Sequence, residues 1–150
     1  MANSTKGREI VVSKVIDAPR ELVFEAWTEQ EHMEKWWLPK GAKTDKMNVK
    51  PGGIWRYSQP GPRGLMFPYI IKFVEIDKPK RLVLDFRPDL ENAPDARTNV
   101  TFEDEDGKTK VTLHLVFASV AEYKNAMKYG AIVGAMQSLE NVADYLAKLR

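Results

Sequence analysis

The hydrophobic pattern at the start of the chain predicts one strand and two short helices. Glu9–Ile16 is rich in β-branched residues and favours a strand. Pro19 suits the first turn of a helix, and the apolar residues after it share one helical face: Leu22, Val23, Ala26 and Trp27. A second short helix carries Met33 and the adjacent pair Trp36 and Trp37, and we expect it to end before Pro39.

Between residues 43 and 117 the hydrophobic period becomes that of β-strands. Trp55 and Tyr57 alternate with polar neighbours, and the clearest alternation is near the end of this region, at Val111, Leu113, Leu115 and Phe117. Asp106-Gly107 is a strong signal for a hairpin turn. The region predicts an antiparallel meander, which can leave one face in water and must cover the other.

The C-terminal region predicts one long amphipathic helix. Ser119 and Glu122 have the spacing of a capping box. The apolar residues that follow recur at helical spacing: Ile132, Ala135, Met136, Leu139, Val142, Ala143, Leu146 and Leu149. With this stripe packed on the sheet, we predict an α+β fold of about six or seven strands, with two short helices after the first strand.

Length and composition indicate one ordinary globular domain. A chain of 150 residues can bury a single core, so we predict one domain over residues 1–150, with residues 1–7 flexible. The start of the chain lacks the pattern of a signal peptide, there are no cysteines, and no apolar run is long enough to span a bilayer. We therefore predict a cytoplasmic location without membrane contact.

The charge pattern argues against nucleic acid as a partner. Basic residues number 23 and acidic residues 21, for a net charge of +2, and the two signs are interspersed along the chain. Nucleic-acid binding requires a concentrated basic surface that can replace the counterions of the phosphates. We expect no nucleic-acid partner.

The inventory of catalytic groups is small. There are 2 histidines: His32 is expected to be exposed beside acidic neighbours, and His114 is expected on the outer face of the sheet. No His, Cys or carboxylate group has the spacing of a metal site, and Pro51-Gly52-Gly53 lacks the spacing of a phosphate-binding loop. We predict no metal and no cofactor, and the sequence favours a binding protein over an enzyme.

Several short motifs carry a resemblance to a known family. In chain order they are Ala18-Pro19, Trp36-Trp37-Leu38-Pro39, Pro51-Gly52-Gly53 and Pro79-Lys80-Arg81-Leu82. With these motifs the chain resembles the START-like helix-grip superfamily, also called SRPBCC or birch-pollen-allergen-like. It is most similar to the branch named after the activator of the ninety-kilodalton heat-shock protein ATPase. The resemblance implies a bent antiparallel sheet that grips a long C-terminal helix, with a cavity between them.

The side chains that would face such a cavity are aromatic and aliphatic. We predict a ligand-binding set from the second short helix, the sheet and the final helix: Trp37, Trp55, Tyr57, Tyr69, Ile71, Phe73, Leu84, Phe86, Leu113, Leu115, Met127, Ala131, Ala135, Met136 and Leu139. Tyr57, Glu75 and Arg56 are the possible polar groups inside. A bulge that turns Glu75 outward is the favoured alternative, and Arg56 faces inward only if its strand kinks at Gly53.

Two positions depart from the expected pattern or require explanation. The branch often has Gly-Trp where this chain has Gly134-Ala135, and the smaller side chain predicts a roomier cavity. Adjacent helical residues point about 100° apart, so Trp36 and Trp37 should not enter the same pocket. One would anchor the short helices and the other would line the cavity; the alternative is that both only fill space.

These features leave three functions open. The favoured one is a protein that binds an apolar or aromatic small molecule. The second is a co-chaperone-like interaction with a chaperone partner, which the resemblance implies. The third is a cyclase- or hydrolase-type enzyme with Glu75 or Tyr57 as acid or base. None of these features determines the oligomeric state.

Overall fold

The computed structural model describes residues 6–149. The elements of this region are, in order, β1 (Glu9–Ile16), α1 (Arg20–Ala26), α2 (Gln30–Trp36), β2 (Lys43–Met47), β3 (Ile54–Pro60), β4 (Met66–Asp77), β5 (Arg81–Pro88), β6 (Ala96–Glu105), β7 (Lys108–Val116), α3 (Val120–Lys128) and α4 (Ala131–Lys148). Residues 1–5, on which most of the predicted flexible segment falls, lie outside the described region.

The strands form one antiparallel sheet in the order β1-β7-β6-β5-β4-β3-β2. Strands β2 to β7 are neighbours in sequence and in space, as expected for a meander, and β1 pairs with β7 at the far edge. The predicted α+β fold, the strand number and the two short helices after β1 are confirmed. Alternation along the strands turns one set of side chains toward the helices and the other toward solvent.

The C-terminal region contains two helices where the sequence predicts one. The helix α3 begins as predicted, with the Ser119 hydroxyl accepting a hydrogen bond from the Glu122 N–H at 3.1 Å. It ends at Lys128, and Gly130 takes a left-handed conformation with φ of 82° before α4 begins. Glycine adopts this conformation at little cost, so the chain changes direction there.

The longer helix α4 covers the inner face of the sheet. Its buried residues recur every three or four positions, at Ala135, Leu139, Val142 and Leu146. They join the core formed by the inward side chains of the strands and by α1 and α2. Within residues 6–149, no helix combines the length and apolar character needed to span a membrane.

Candidate ligand-binding cleft

A cleft of about 560 Å³ lies between α4, the short helices and the inner face of the sheet. Small-molecule sites typically measure about 300–1,000 Å³ and are lined mainly by apolar and aromatic groups. Aromatic and aliphatic side chains dominate here too. The lining residues are Trp27, Trp36, Trp37, Tyr57, Gln59, Phe86, Ala96, Thr98, Leu113, Leu115, Gly134, Ala135, Ser138 and Asn141.

Strand pairing places the lining side chains of β5, β6 and β7 next to one another. Phe86 on β5 lies opposite Ala96 on β6, and Thr98 lies opposite Leu115 on β7. Opposite residues in an antiparallel pair point to the same face, so these side chains form one continuous surface. The register of three strands therefore decides which inward residues reach the cleft.

Stacked rings support this surface from the neighbouring strands. The Tyr57 and Tyr69 rings have centroids 5.7 Å apart, and the Tyr69 and Phe86 rings are 5.6 Å apart and nearly parallel, at 10°. Offset stacking of this kind adds to the stabilisation from area burial. Tyr69 thus holds two lining side chains without lining the cleft itself.

The side of the cleft formed by α4 carries small residues, so few side-chain atoms project into the cleft from this helix. Gly134, Ala135 and Ser138 share one face of α4, and a Cβ atom added at Gly134 would meet nothing within 4 Å. Gly134 and Asn141 are exposed, so the cleft opens to solvent along this edge. The small residues at positions 134 and 135 leave space on the helix side of the cleft.

The two adjacent tryptophans both line the cleft but are anchored differently. Trp36 is buried and its Nε1–H donates to the Ala26 carbonyl oxygen at 2.7 Å, which ties α2 to α1. Trp37 is half-buried, and its Nε1–H donates to the Tyr57 hydroxyl oxygen at 3.0 Å, which ties α2 to the sheet. The expectation that only one would reach the cleft is wrong, because edge-to-face packing 5.4 Å apart lets both rings converge.

Tyr57 is the ionisable group of this lining. Burial raises the pKa of its hydroxyl to about 12, an effect that outweighs the hydrogen bond from Trp37, which lowers it. The hydroxyl therefore stays protonated throughout the neutral range. It offers one lone pair to Trp37 and retains its own hydrogen.

Stability at alkaline pH should report this raised pKa. The folded state holds the Tyr57 proton up to about pH 12, whereas an unfolded tyrosine releases it near pH 10. The contribution of the protonated Tyr57 hydroxyl to the free energy of unfolding is complete below pH 10 and is lost as the pH rises toward 12. We expect Tyr57→Phe to lose about 1 kcal/mol less unfolding free energy than wild type between pH 9 and pH 11. Urea unfolding at each pH measures this.

Tyr69→Phe is the matched control for the alkaline experiment. It removes a hydroxyl from the neighbouring ring of the same stack, outside the cleft lining. This variant keeps the Tyr57 hydroxyl and should change the pH dependence of the unfolding free energy less than Tyr57→Phe does, because burial is the main cause of the raised Tyr57 pKa. Equal slopes for wild type and Tyr57→Phe would contradict the assignment of the buried hydroxyl.

Apart from Tyr69 and Met136, the predicted ligand-binding residues fall into three groups. Six of them line the cleft: Trp37, Tyr57, Phe86, Leu113, Leu115 and Ala135. Others are buried in the core behind it, because neighbouring side chains cover them: Trp55, Ile71, Phe73, Leu84 and Leu139. Ala131 lines a smaller apolar depression below α3, and Met127 is half-buried in that helix.

Three predicted site residues point away from the cleft. Met136 is 42% exposed, because the face of α4 that packs on the sheet is centred on Ala135 and Leu139. A register shift between Phe73 and Glu75 turns Glu75 outward, where Arg81 lies 3.7 Å from its carboxylate. Placing Met136 in the cavity was wrong, whereas the favoured bulge that turns Glu75 outward is observed.

The third is Arg56, which lies on the outer face of β3. Its guanidinium contacts the carboxylates of Asp45 and Asp89, each at 2.8 Å. Hydrogen bonding to Asp89 raises the pKa of this arginine further. The strand does not kink enough to bring Arg56 inside, so it belongs to a surface ion-pair network.

The sequence missed several lining residues. Trp27 was predicted only to lie on the apolar face of the first short helix, and Asn141 was not among the predicted site residues. The spacing of Gly134, Ser138 and Asn141 along α4 is a signal that could have placed them together. Gln59 continues the alternation of Trp55 and Tyr57, and Ala96 and Thr98 have the parity of Val100, but only the strand register shows that they reach the cleft.

His32 is more buried than expected. Its Nδ1 lies 2.5 Å from the Tyr145 hydroxyl oxygen, which joins α2 to α4. Its Nε2 faces Glu29, and with Glu31 these residues place three possible metal-ligating atoms within 4.8 Å of one another. Both carboxylates are exposed, and a cluster of acidic groups at a surface does not by itself define a metal site.

The fold and the cleft together define the class of protein: an α+β helix-grip domain. Over residues 17–147 the sequence matches the family described as Activator of Hsp90 ATPase homolog 1-like protein. The chain belongs to this family, and the resemblance predicted from its motifs is confirmed. No curated protein matches the chain.

Solved structures with the same fold come from several bacteria. Protein Ms6760 from Mycobacterium smegmatis has a TM-score of 0.81 and 21% identity, over 95% of this chain and 93% of that one. A protein from Arthrobacter aurescens has a TM-score of 0.85 and 20% identity, over 97% and 90%. One from Staphylococcus epidermidis has a TM-score of 0.81 and 23% identity, over 100% and 96%. At these identities the likeness shows the fold.

Proposed function

We propose that the protein binds an apolar small molecule in the cleft between α4 and the sheet. The observation that carries this proposal is the lining: tryptophan, tyrosine, phenylalanine and leucine side chains surround about 560 Å³ of space. Apolar surface removed from water contributes roughly 25 cal/mol per Å², so a ligand that covers these rings gains substantial free energy.

The lining supports binding more than catalysis. Among the described residues, Tyr57 is the titratable side chain in the cleft, and its raised pKa keeps it protonated at neutral pH. General acid–base chemistry works best with a group whose pKa is close to the operating pH. Glu75, the other residue considered as an acid or base, faces away from the cleft.

A neutral fluorescent probe tests the proposal. N-phenyl-1-naphthylamine is uncharged and emits more strongly, at shorter wavelength, in apolar surroundings. We expect saturable enhancement with one probe per chain, and a dissociation constant that changes less than about twofold from pH 6 to pH 9, because no lining group titrates in that range. No enhancement at any protein concentration would refute the proposal.

The family description supports a second candidate function, a co-chaperone-like role. An increase in the ATPase rate of a ninety-kilodalton heat-shock protein on addition of this chain would support it. Three apolar side chains that lie exposed near the start of β4 give such a partner a surface apart from the cleft: Leu65, Met66 and Phe67. The aromatic cleft favours the small-molecule role.

A further inference from the structure

The apolar depression below α3 adjoins the cleft. Its volume is about 320 Å³, and its lining is mainly apolar. The two spaces share three lining residues, one from each of β5, β6 and β7: Phe86, Ala96 and Leu115. All three are only half-buried, although they belong to the inner face of the sheet. Part of their apolar surface is therefore not covered by protein.

The strands that border both spaces place them in the same order. On β7 and just after it, the inward residues Leu113, Leu115 and Phe117 line the cleft, both spaces and the depression, respectively. On β6, Thr98 lines the cleft and Ala96 lines both. Successive inward residues of one strand are about 7 Å apart. The depression therefore continues the cleft along the direction of the strands, and the two form one combined groove.

The helix side of the combined groove carries small residues along its whole length. Gly134 and Ala135 line the cleft, and Ala131 and Ala126 line the depression. Small side chains at these four positions leave the apolar surface of the sheet uncovered.

The helix α3 covers the depression without filling it. None of its residues is buried. Its Tyr123 ring contacts the Phe117 ring, with centroids 6.0 Å apart, so the helix lies over the sheet at this point. A core helix would bury a stripe of apolar side chains here. The space that such side chains would fill is open to a ligand.

The combined groove is longer than the cleft. The cleft extends along α4 from Gly134 to Asn141, which is about 10 Å at a rise of about 1.5 Å per residue. With Ala131 the lining reaches at least about 15 Å along this helix, and Ala126 of α3 extends it further. A molecule that fills both spaces is therefore elongated.

We infer that the ligand is an elongated apolar molecule that occupies the cleft and extends past Phe86, Ala96 and Leu115 into the depression below α3. The reason for this occupant is continuity with the cleft, since the same strands and the same helix line both spaces. This inference rests on the proposed function and specifies the shape of its ligand.

Primary alcohols of increasing length measure how far the site extends. Within the described region no charged side chain lines the cleft, so an uncharged end group suits it. Displacement of N-phenyl-1-naphthylamine gives the affinities of 1-octanol, 1-decanol and 1-dodecanol for the whole chain. Extended 1-octanol has nearly the length of the cleft alone, and the longer alcohols need the depression. We expect affinity to rise at least about tenfold at each step, because burying one CH₂ contributes about fourfold.

Two tryptophan substitutions on α3 locate the far end of the ligand. Ala126→Trp places an indole in the depression, whereas Ala121→Trp makes the same change at an exposed position of this helix. The first should weaken 1-dodecanol binding at least about tenfold and change the affinities of 1-octanol and N-phenyl-1-naphthylamine less than about twofold. The second should change none of the three by more than about twofold. Urea unfolding shows whether each variant is folded, and the alcohol series on the unmodified protein suffices if Ala126→Trp is not.

The outcomes separate this inference from the proposed function. Affinity that stops rising after 1-octanol, or equal effects of the two substitutions on 1-dodecanol, would overturn the extension below α3 and leave the cleft as the binding site. If N-phenyl-1-naphthylamine and all three alcohols failed to bind, the proposed function would be lost, and this inference with it.

Discussion

Replacing Ala135 by tryptophan is expected to weaken binding of N-phenyl-1-naphthylamine by at least about tenfold while the protein stays folded. Ala135 is buried, lines the cleft and projects from α4 toward the sheet. An indole at this position would occupy the space in which we propose the ligand binds. Because that space is not filled by protein atoms, the usual cost of overpacking a core, about 1–3 kcal/mol, should not apply.

The experiment compares two tryptophan substitutions on the same helix. Gln137→Trp places the indole on the exposed face of α4, two residues away, and should leave probe affinity unchanged. Probe titration gives the affinities, and urea unfolding shows whether each variant is folded. Wild-type affinity in a folded Ala135→Trp variant would place the binding site elsewhere.

Trp36→Ala is expected to cause the largest loss of stability among the changes considered, about 3–5 kcal/mol of unfolding free energy. The side chain is 5% exposed and contacts the Trp27 and Trp37 rings, with centroids 4.6 and 5.4 Å away. Its removal also breaks the buried hydrogen bond to Ala26 that joins α1 and α2. Urea or thermal unfolding followed by circular dichroism measures the loss.

Its neighbour provides the comparison. Trp37 is half-buried and bonded to Tyr57, so Trp37→Ala should cost about 1–2 kcal/mol of stability. We expect this variant to weaken probe binding by about fivefold or more, because it removes part of the aromatic lining. If the two variants lost equal stability, the structural distinction between the buried Trp36 and the half-buried Trp37 would be wrong.

Local sequence patterns were sufficient for most elements of the fold. β-branched runs, alternation and helical spacing depend on neighbouring residues, so they located the first strand, the meander and the amphipathic face of α4. The break before α4 was missed because a glycine within a helical pattern is compatible with a helix that continues and with one that ends there. At Gly130 the left-handed backbone ends one helix and begins the next.

The cleft was predicted less well than the fold, for a physical reason. Strand parity identifies the inward side chains, but it does not say which of them contact protein atoms and which contact space. Trp55 and Phe73 satisfy the same pattern as Tyr57, yet they are buried in the core. A one-residue register shift was enough to turn Glu75 to the surface.

By itself, the sequence determined the family, the α+β class and the faces on which hydrophobic residues lie, because these depend on composition, periodicity and short motifs. The tertiary structure alone decided which side chains meet. It brought Trp37 to Tyr57, and His32 to Tyr145 across 113 positions. Such meetings depend on strand register and helix packing between distant segments, which no local pattern encodes.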